Sequence, residues 1–170
     1  MIIITKKNYL KVKKWLGQHK ACYNIMKFSY IFLPLIVAVA YMCLLLSQLI
    51  MNDLFSPYFL KVLLVPAGTF AFVTLLRYVI NAPRPYEVTG IVPLMKKDTV
   101  GLSFPSRHTS SVFIIAMAYL YVNAVLGFFM MIFAVLIGLS RIVFGVHFAK
   151  DVIAGALISI VIGIIFLFVL

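Results

Sequence analysis

The chain has 170 residues, of which 65% are hydrophobic and 11% charged, with a formal net charge of +11. An ordinary soluble domain is about half apolar and about a quarter charged, so this balance excludes one and points to a small membrane protein with several spans. The positive surplus does not require nucleic acid as a partner. Lysines crowd toward the N-terminus, where a membrane surface fits them, and all four arginines (Arg77, Arg84, Arg107 and Arg141) lie elsewhere.

Residues 1–27 hold seven lysines among Ile2, Ile3, Ile4, Tyr9, Leu10, Val12, Trp15 and Leu16. This mixture reads as a basic amphipathic segment lying on anionic lipid with Trp15 at the interface, or else as a disordered basic tail. Residues 28–170 read as the transmembrane domain. The first span is 28–52, uncharged throughout and bounded by Lys27 and Asp53. Ser56-Pro57 then suits a helix start. The second span is 57–80, with Lys61 snorkelling one turn in, Arg77 one turn from the end, and a kink at Pro66 and Gly68. Residues 81–105 form a loop by composition, with Pro83, Pro85, Pro93, Gly90 and Gly101. Lys96, Lys97 and Asp98 read there as a solvated stretch.

The third helix begins near Ser106, where SRHTSS follows Pro105 and offers caps and free N–H donors. The 32 uncharged residues 109–140 are too many for one helix and predict two, turning near 123–127. The fourth span ends near 146 and the fifth covers 149–170. The fold class is therefore all-α, a polytopic bundle of about five transmembrane helices plus the basic N-terminal segment. Cys22 and Cys43 read as free thiols.

Residues 140–151, SRIVFGVHFAKD, hold an Arg, a His, a Lys and an Asp, with 19 uncharged residues after them. Ionisable groups pinned between such runs are costly beside lipid and mark a functional site. If His147 and Asp151 share a helical turn, the carboxylate accepts one ring N–H and leaves the other nitrogen free as a nucleophile. In an up-and-down bundle, three polar clusters fall on one membrane side: the end of span two, the start of span three, and the link between spans four and five. They contain every arginine, His108, His147 and Asp151. Guanidinium forks match phosphate oxygens, and the start of helix three adds backbone N–H groups. The residues alone thus predict a phosphate site containing two histidines.

Arg77-x6-Arg84-Pro85, Pro105-Ser106-Arg107-His108 and Ser140-Arg141-x5-His147-x3-Asp151 together resemble the three-part signature of the type-2 phosphatidic acid phosphatases. These are the membrane branch of the lipid phosphatase and vanadium haloperoxidase superfamily. The resemblance implies that His147 attacks phosphorus and forms a phosphohistidine, with Asp151 orienting it. It implies that His108 protonates the leaving oxygen and then activates water. Arg77, Arg84 and Arg141 would hold the phosphoryl oxygens, helped by Ser106. No metal or other cofactor is implied, and Asp53, Glu87, Asp98 and Asp151 offer no pair spaced for a two-metal centre. Two positions depart from the pattern. Arg77 replaces the usual lysine, and Arg107 replaces the usual glycine, which places an extra cation where a second phosphate or acidic head group could sit.

The expected function is a membrane phosphatase removing the terminal phosphate of a lipid phosphate or diphosphate. Arg107 favours a polyprenyl diphosphate over phosphatidic acid or phosphatidylglycerol phosphate. A non-catalytic anionic-lipid binder or transporter using the arginines for docking is the alternative. His147 must be neutral and His108 protonated, so turnover should be bell-shaped in pH, with Asp151 raising the pKa of His147. Ten of the eleven lysines fall on the side of the motifs, which the positive-inside rule assigns to the cytoplasm; the family resemblance implies the outer face instead.

Overall fold

A computed structural model describes residues 6–95, 97 and 99–170. The expectations placed on Ile2, Ile3, Ile4, Lys96 and Asp98 lie outside the described residues. The chain folds into helices α1 (Lys6–Gln18), α2 (Lys20–Ile31), α3 (Leu33–Met51), α4 (Pro57–Ile80), the short α5 (Pro85–Thr89), α6 (Arg107–Val122), α7 (Ala124–Val143) and α8 (Ala149–Gly163). The last of these widens into a π-helical end, Ile164–Val169.

Four stretches are long and apolar enough to cross a membrane: Leu33–Met51, Pro57–Thr89, Ala124–Val143 and Ala149–Val169. The expected third span is α6, which packs against α3, α4, α7 and α8 at the centre of the bundle. Its 16 residues rise only ~24 Å, short of a hydrocarbon core of ~30 Å. Burial on several sides explains its small residues, since Ser110, Ala116 and Ala118 are all within 1% of complete burial. The outward faces of α3, α4, α7 and α8 carry exposed Leu35, Leu64, Phe128 and Leu157, as lipid contact requires.

Prolines shape two helices in the same way. Pro34 has no N–H to give the carbonyl four residues back, and the expected span 28–52 is divided between α2 and α3 at Phe32. Pro66 likewise leaves the Val62 carbonyl without its helical partner, and the Tyr41 hydroxyl on α3 donates to it at 2.9 Å. Helix α4 runs on through Pro66. Its bounds agree with the sequence reading, as does the turn at Asn123, whose side chain accepts the Leu126 N–H at 3.0 Å and starts α7.

The fourth span ends at Val143 rather than near 146 because the chain turns at Gly145, whose φ of +73° favours glycine. A Cβ there would also lie 2.8 Å from the Tyr9 ring. Tyr9 and Leu16 are the buried residues of α1, while Lys6, Lys7, Lys11, Lys13 and Lys14 face outward. The Tyr9 hydroxyl donates to the Val92 carbonyl at 3.2 Å, so α1 rests on the same side of the bundle as the three polar clusters. Lys61 lies at the other end, where its ammonium reaches the Leu167 carbonyl at 3.4 Å and stands over the Tyr121 ring.

Candidate active site

The three clusters meet around a cavity of about 140 Å³ between the ends of α4, α6 and α7 and the loop from α5 to α6. Arg77, Arg84, Arg107, Arg141, His108 and His147 all line it. The way the guanidinium groups are held decides what the cavity can do. Arg77 Nη1 donates to the Pro105 carbonyl at 2.9 Å. Arg84 Nε donates to the Gly101 carbonyl at 2.9 Å, and its Nη1 lies 3.4 Å from the Val146 carbonyl. Arg141 Nη2 donates to the Tyr30 carbonyl at 3.2 Å.

Neutral carbonyls fix these groups without cancelling their charge. Among the described residues no carboxylate pairs with any of the four arginines; the ion pair present is His147 with Asp151. Arg77, Arg84 and Arg141 are each more than 90% buried. Buried cations left unneutralised at this density require an anion among them. Arg107 is half-buried, with its guanidinium carbon 5.3 Å from the Phe70 ring centroid. His108, in the first turn of α6, is exposed at the cavity.

His147 and Asp151 do not share a helical turn, because His147 precedes the Phe148 cap of α8. The carboxylate still reaches the ring, since Asp151 lies at the third position of α8 and points back toward the entering chain. Its Oδ2 accepts the Phe148 N–H at 3.0 Å, stands 3.6 Å from His147 Nδ1, and accepts the Ser103 hydroxyl at 2.6 Å. Ser103 Oγ is also 3.4 Å from His147 Nδ1, so it bridges ring and carboxylate. Both partners sit on Nδ1, which leaves Nε2 as the ring nitrogen open to the cavity.

Burial pushes the His147 pKa down to about 4 from an ordinary 6.5, with Arg84 and Arg77 adding to the fall. Asp151 pulls upward as expected, but the loss of water around the ring outweighs it. The imidazole is therefore neutral across the physiological range.

Ser106 is placed differently from the arginines. It is fully buried, does not line the cavity, and its Oγ accepts from Thr109 at 2.9 Å. Its N–H donates to the Asp151 carbonyl at 2.9 Å, which fastens the start of α6 to the start of α8. Several lining or bridging residues were not singled out by sequence: Ser103, Tyr30 and Thr74. Lys97, expected to be solvated, instead lines the cavity. Burial, then Arg84, Arg141, Arg77 and Arg107, push its ammonium below the usual lysine range. Thr74 Oγ1 is buried with no partner among the described residues. It lies one turn before Arg77 on a largely apolar helix, and no spacing or motif marked it in the sequence.

Glu87 holds the loop in place. Its carboxylate accepts the Arg84 N–H at 2.9 Å and the Gly101 N–H at 2.7 Å, tying both ends of the segment that carries Lys97. The family profile for the PAP2 superfamily matches residues 58–169, which include every residue of the three clusters. The chain belongs to the PAP2 superfamily. Among PAP2 relatives, the undecaprenyl-diphosphatase BcrC of Bacillus subtilis (strain 168) is 37% identical over 84 residues, which is 49% of this chain and 43% of that protein. The match thus spans less than half of that PAP2 relative. The crystal structure of Aquifex aeolicus LpxE aligns with a TM-score of 0.64 and 28% identity, over 84% of this chain and 81% of that one. A PAP2-type phosphatidylglycerolphosphate phosphatase from Bacillus subtilis aligns more loosely, with a TM-score of 0.48 and 21% identity.

Proposed function

We propose that this protein is an integral membrane phosphatase that hydrolyses the terminal phosphate of a lipid, through a phosphohistidine and without a metal. The observation that carries this reading is the set of buried guanidinium groups held by carbonyls around a neutral histidine. His147 Nε2 attacks phosphorus, forming an N–P bond as the bond from phosphorus to the lipid oxygen breaks. His108 gives its proton to that oxygen, so a diphosphate lipid leaves as its monophosphate and a monophosphate lipid as its alcohol. A water then attacks phosphorus, His108 takes up its proton, and phosphate leaves as the N–P bond breaks. Arg77, Arg84 and Arg141 hold the three phosphoryl oxygens throughout, where developing charge is greatest. A docking protein has no need of the His147–Ser103–Asp151 arrangement, which disfavours the non-catalytic alternative. The deciding test is phosphate release in detergent from a panel of lipid phosphates and diphosphates. Binding without release on every substrate would leave only docking.

A diphosphate lipid is the favoured substrate class. Arg77, Arg84, Lys97, Arg107 and Arg141 place five cations around one small cavity. A terminal phosphate brings about −1.5 to −2 charges, and a diphosphate brings more. The BcrC relative is named for a diphosphate substrate of this kind. Arg107→Gly is expected to cut turnover of a polyprenyl diphosphate about tenfold or more, the scale of one lost charge-assisted hydrogen bond, while a monophosphate lipid loses less than about twofold. Equal losses on both would remove this preference.

The neutral His147 sets the pH response. Protonation removes the nucleophile, and burial disfavours the protonated form, so the acid limb of kcat/KM moves below that of a free imidazole. The limb is expected between pH 6.5 and about 4, the ordinary and buried values for this ring. A limb above 6.5 would contradict the assignment of His147 as attacking base.

The site side faces the cytoplasm in this reading, because α1 with its lysines lies there and only Lys61 lies opposite. Single cysteines at exposed Val100 and at Asp53, in a chain lacking Cys22 and Cys43, give the test with an impermeant thiol reagent on intact cells. Labelling is expected at 53 and not at 100. The reverse pattern would place the site outside.

A further inference from the structure

We infer that Tyr30 and Pro34, on segments before the family-matched region 58–169, are positioning residues that hold Arg141 in its phosphate-binding pose. This rests on the reading of the cavity as a phosphate site. Arg141 is 96% buried by its 4% exposure, yet among the described residues it has no carboxylate partner and its Nε has no hydrogen-bond partner. Two contacts hold it, and both come from Tyr30. The guanidinium carbon lies 4.1 Å from the Tyr30 ring centroid, a close cation–π stack, and Nη2 takes the Tyr30 carbonyl at 3.2 Å. Tyr30 itself lines the cavity and packs on Phe144, with ring centroids 5.0 Å apart.

That carbonyl is free for a specific reason. In an uninterrupted helix the N–H of residue 34 would occupy it, and residue 34 is a proline with no N–H to give. The same device occurs at Pro66, where Tyr41 takes the Val62 carbonyl, far from the cavity and with no cation involved. The second case shows that a proline-freed carbonyl in this bundle is satisfied from a neighbouring helix. At Pro34 the donor is Arg141, and the ring of the same tyrosine sets the plane in which its fork lies. One donor of the guanidinium is thereby occupied, and the donors that face the cavity are left for phosphoryl oxygens.

The test uses orthovanadate, a phosphate mimic, and reads its apparent Kd from thermal stabilisation of the detergent-solubilised full chain, so it does not depend on turnover. Tyr30→Leu removes the stacked ring and keeps the carbonyl, while Pro34→Ala supplies a competing N–H and keeps the ring. Each is expected to weaken vanadate about tenfold, the scale of a desolvated cation–π or charged hydrogen bond. Pro66→Ala should stay within about twofold of the native chain. The melting temperature without vanadate reports any loss of folding separately. A double-variant cycle guards against a general packing defect. In an Arg141→Lys background, Tyr30→Leu should cost less than about twofold further, because the group it positions is gone. Losses that multiply in the double variant, or native affinity in both Tyr30→Leu and Pro34→Ala, would overturn the proposal. Phosphate release by the native chain is measured alongside. Its absence would count against the phosphatase reading, while the vanadate cycle would still decide the role of Tyr30.

Discussion

His147→Ala should reduce phosphate release from lipid substrates by on the order of 10⁴-fold or more. The variant removes the ring that forms the covalent bond but leaves the guanidinium groups on their carbonyls, since none of the arginines relies on the imidazole for a hydrogen bond. Anion affinity should therefore persist within about threefold, giving a fall in kcat with little change in binding. Shortening a ring that is 97% buried, from its 3% exposure, opens a small void beside Asp151. That void should lower the melting temperature by only a few degrees. Retained turnover in this variant would falsify the phosphohistidine route.

Arg84→Ala should lose about 10³- to 10⁵-fold in kcat/KM, the range seen when a guanidinium that stabilises transferring phosphoryl charge is removed. Two effects combine there. The positive charge at the cavity disappears, and so does the link that joins the Gly101 carbonyl to the Val146 carbonyl next to His147. Arg84→Lys should recover little, because a single ammonium cannot donate along both directions at once. Kinetics on purified Arg84→Ala and Arg84→Lys decide this. Full recovery by lysine would mean that charge alone matters at this position and that its forked geometry does not.

Much of the frame was legible because it is written in local signals. Ser56-Pro57 and Asn123 mark helix starts through their own backbone and side-chain chemistry, and the agreement at α4 and α7 follows. The three charged clusters stood out against uncharged runs, and the fold brings His108, His147 and all four arginines to one cavity. The less legible features depend on contacts between distant parts of the chain. Ser103 reaches Asp151 only because the loop after α5 folds back under α8, and no periodicity marks such a residue. Lys97 sits in a polar stretch that reads as solvated until Glu87 is seen to tie that stretch down. Pro34 was visible, but the 25 uncharged residues 28–52 outweighed it as a sign of one continuous span. The four-residue spacing of His147 and Asp151 suggested a shared helical turn as one way for them to meet, whereas an acid at the third helical position reaches back to the entering chain equally well.

The shortness of α6 has a consequence for what happens after the bond breaks. A helix several ångströms shorter than the hydrocarbon core cannot reach both head-group layers, and the proposed function needs its N-terminus, with the phosphate cavity, at the boundary between oil and water. Cleavage there sends the two products into different phases. The lipid product keeps its chain in the bilayer and diffuses in two dimensions, while phosphate departs into bulk water and is diluted. Re-encounter of the pair is then slow, so the reverse reaction contributes little to the net flux.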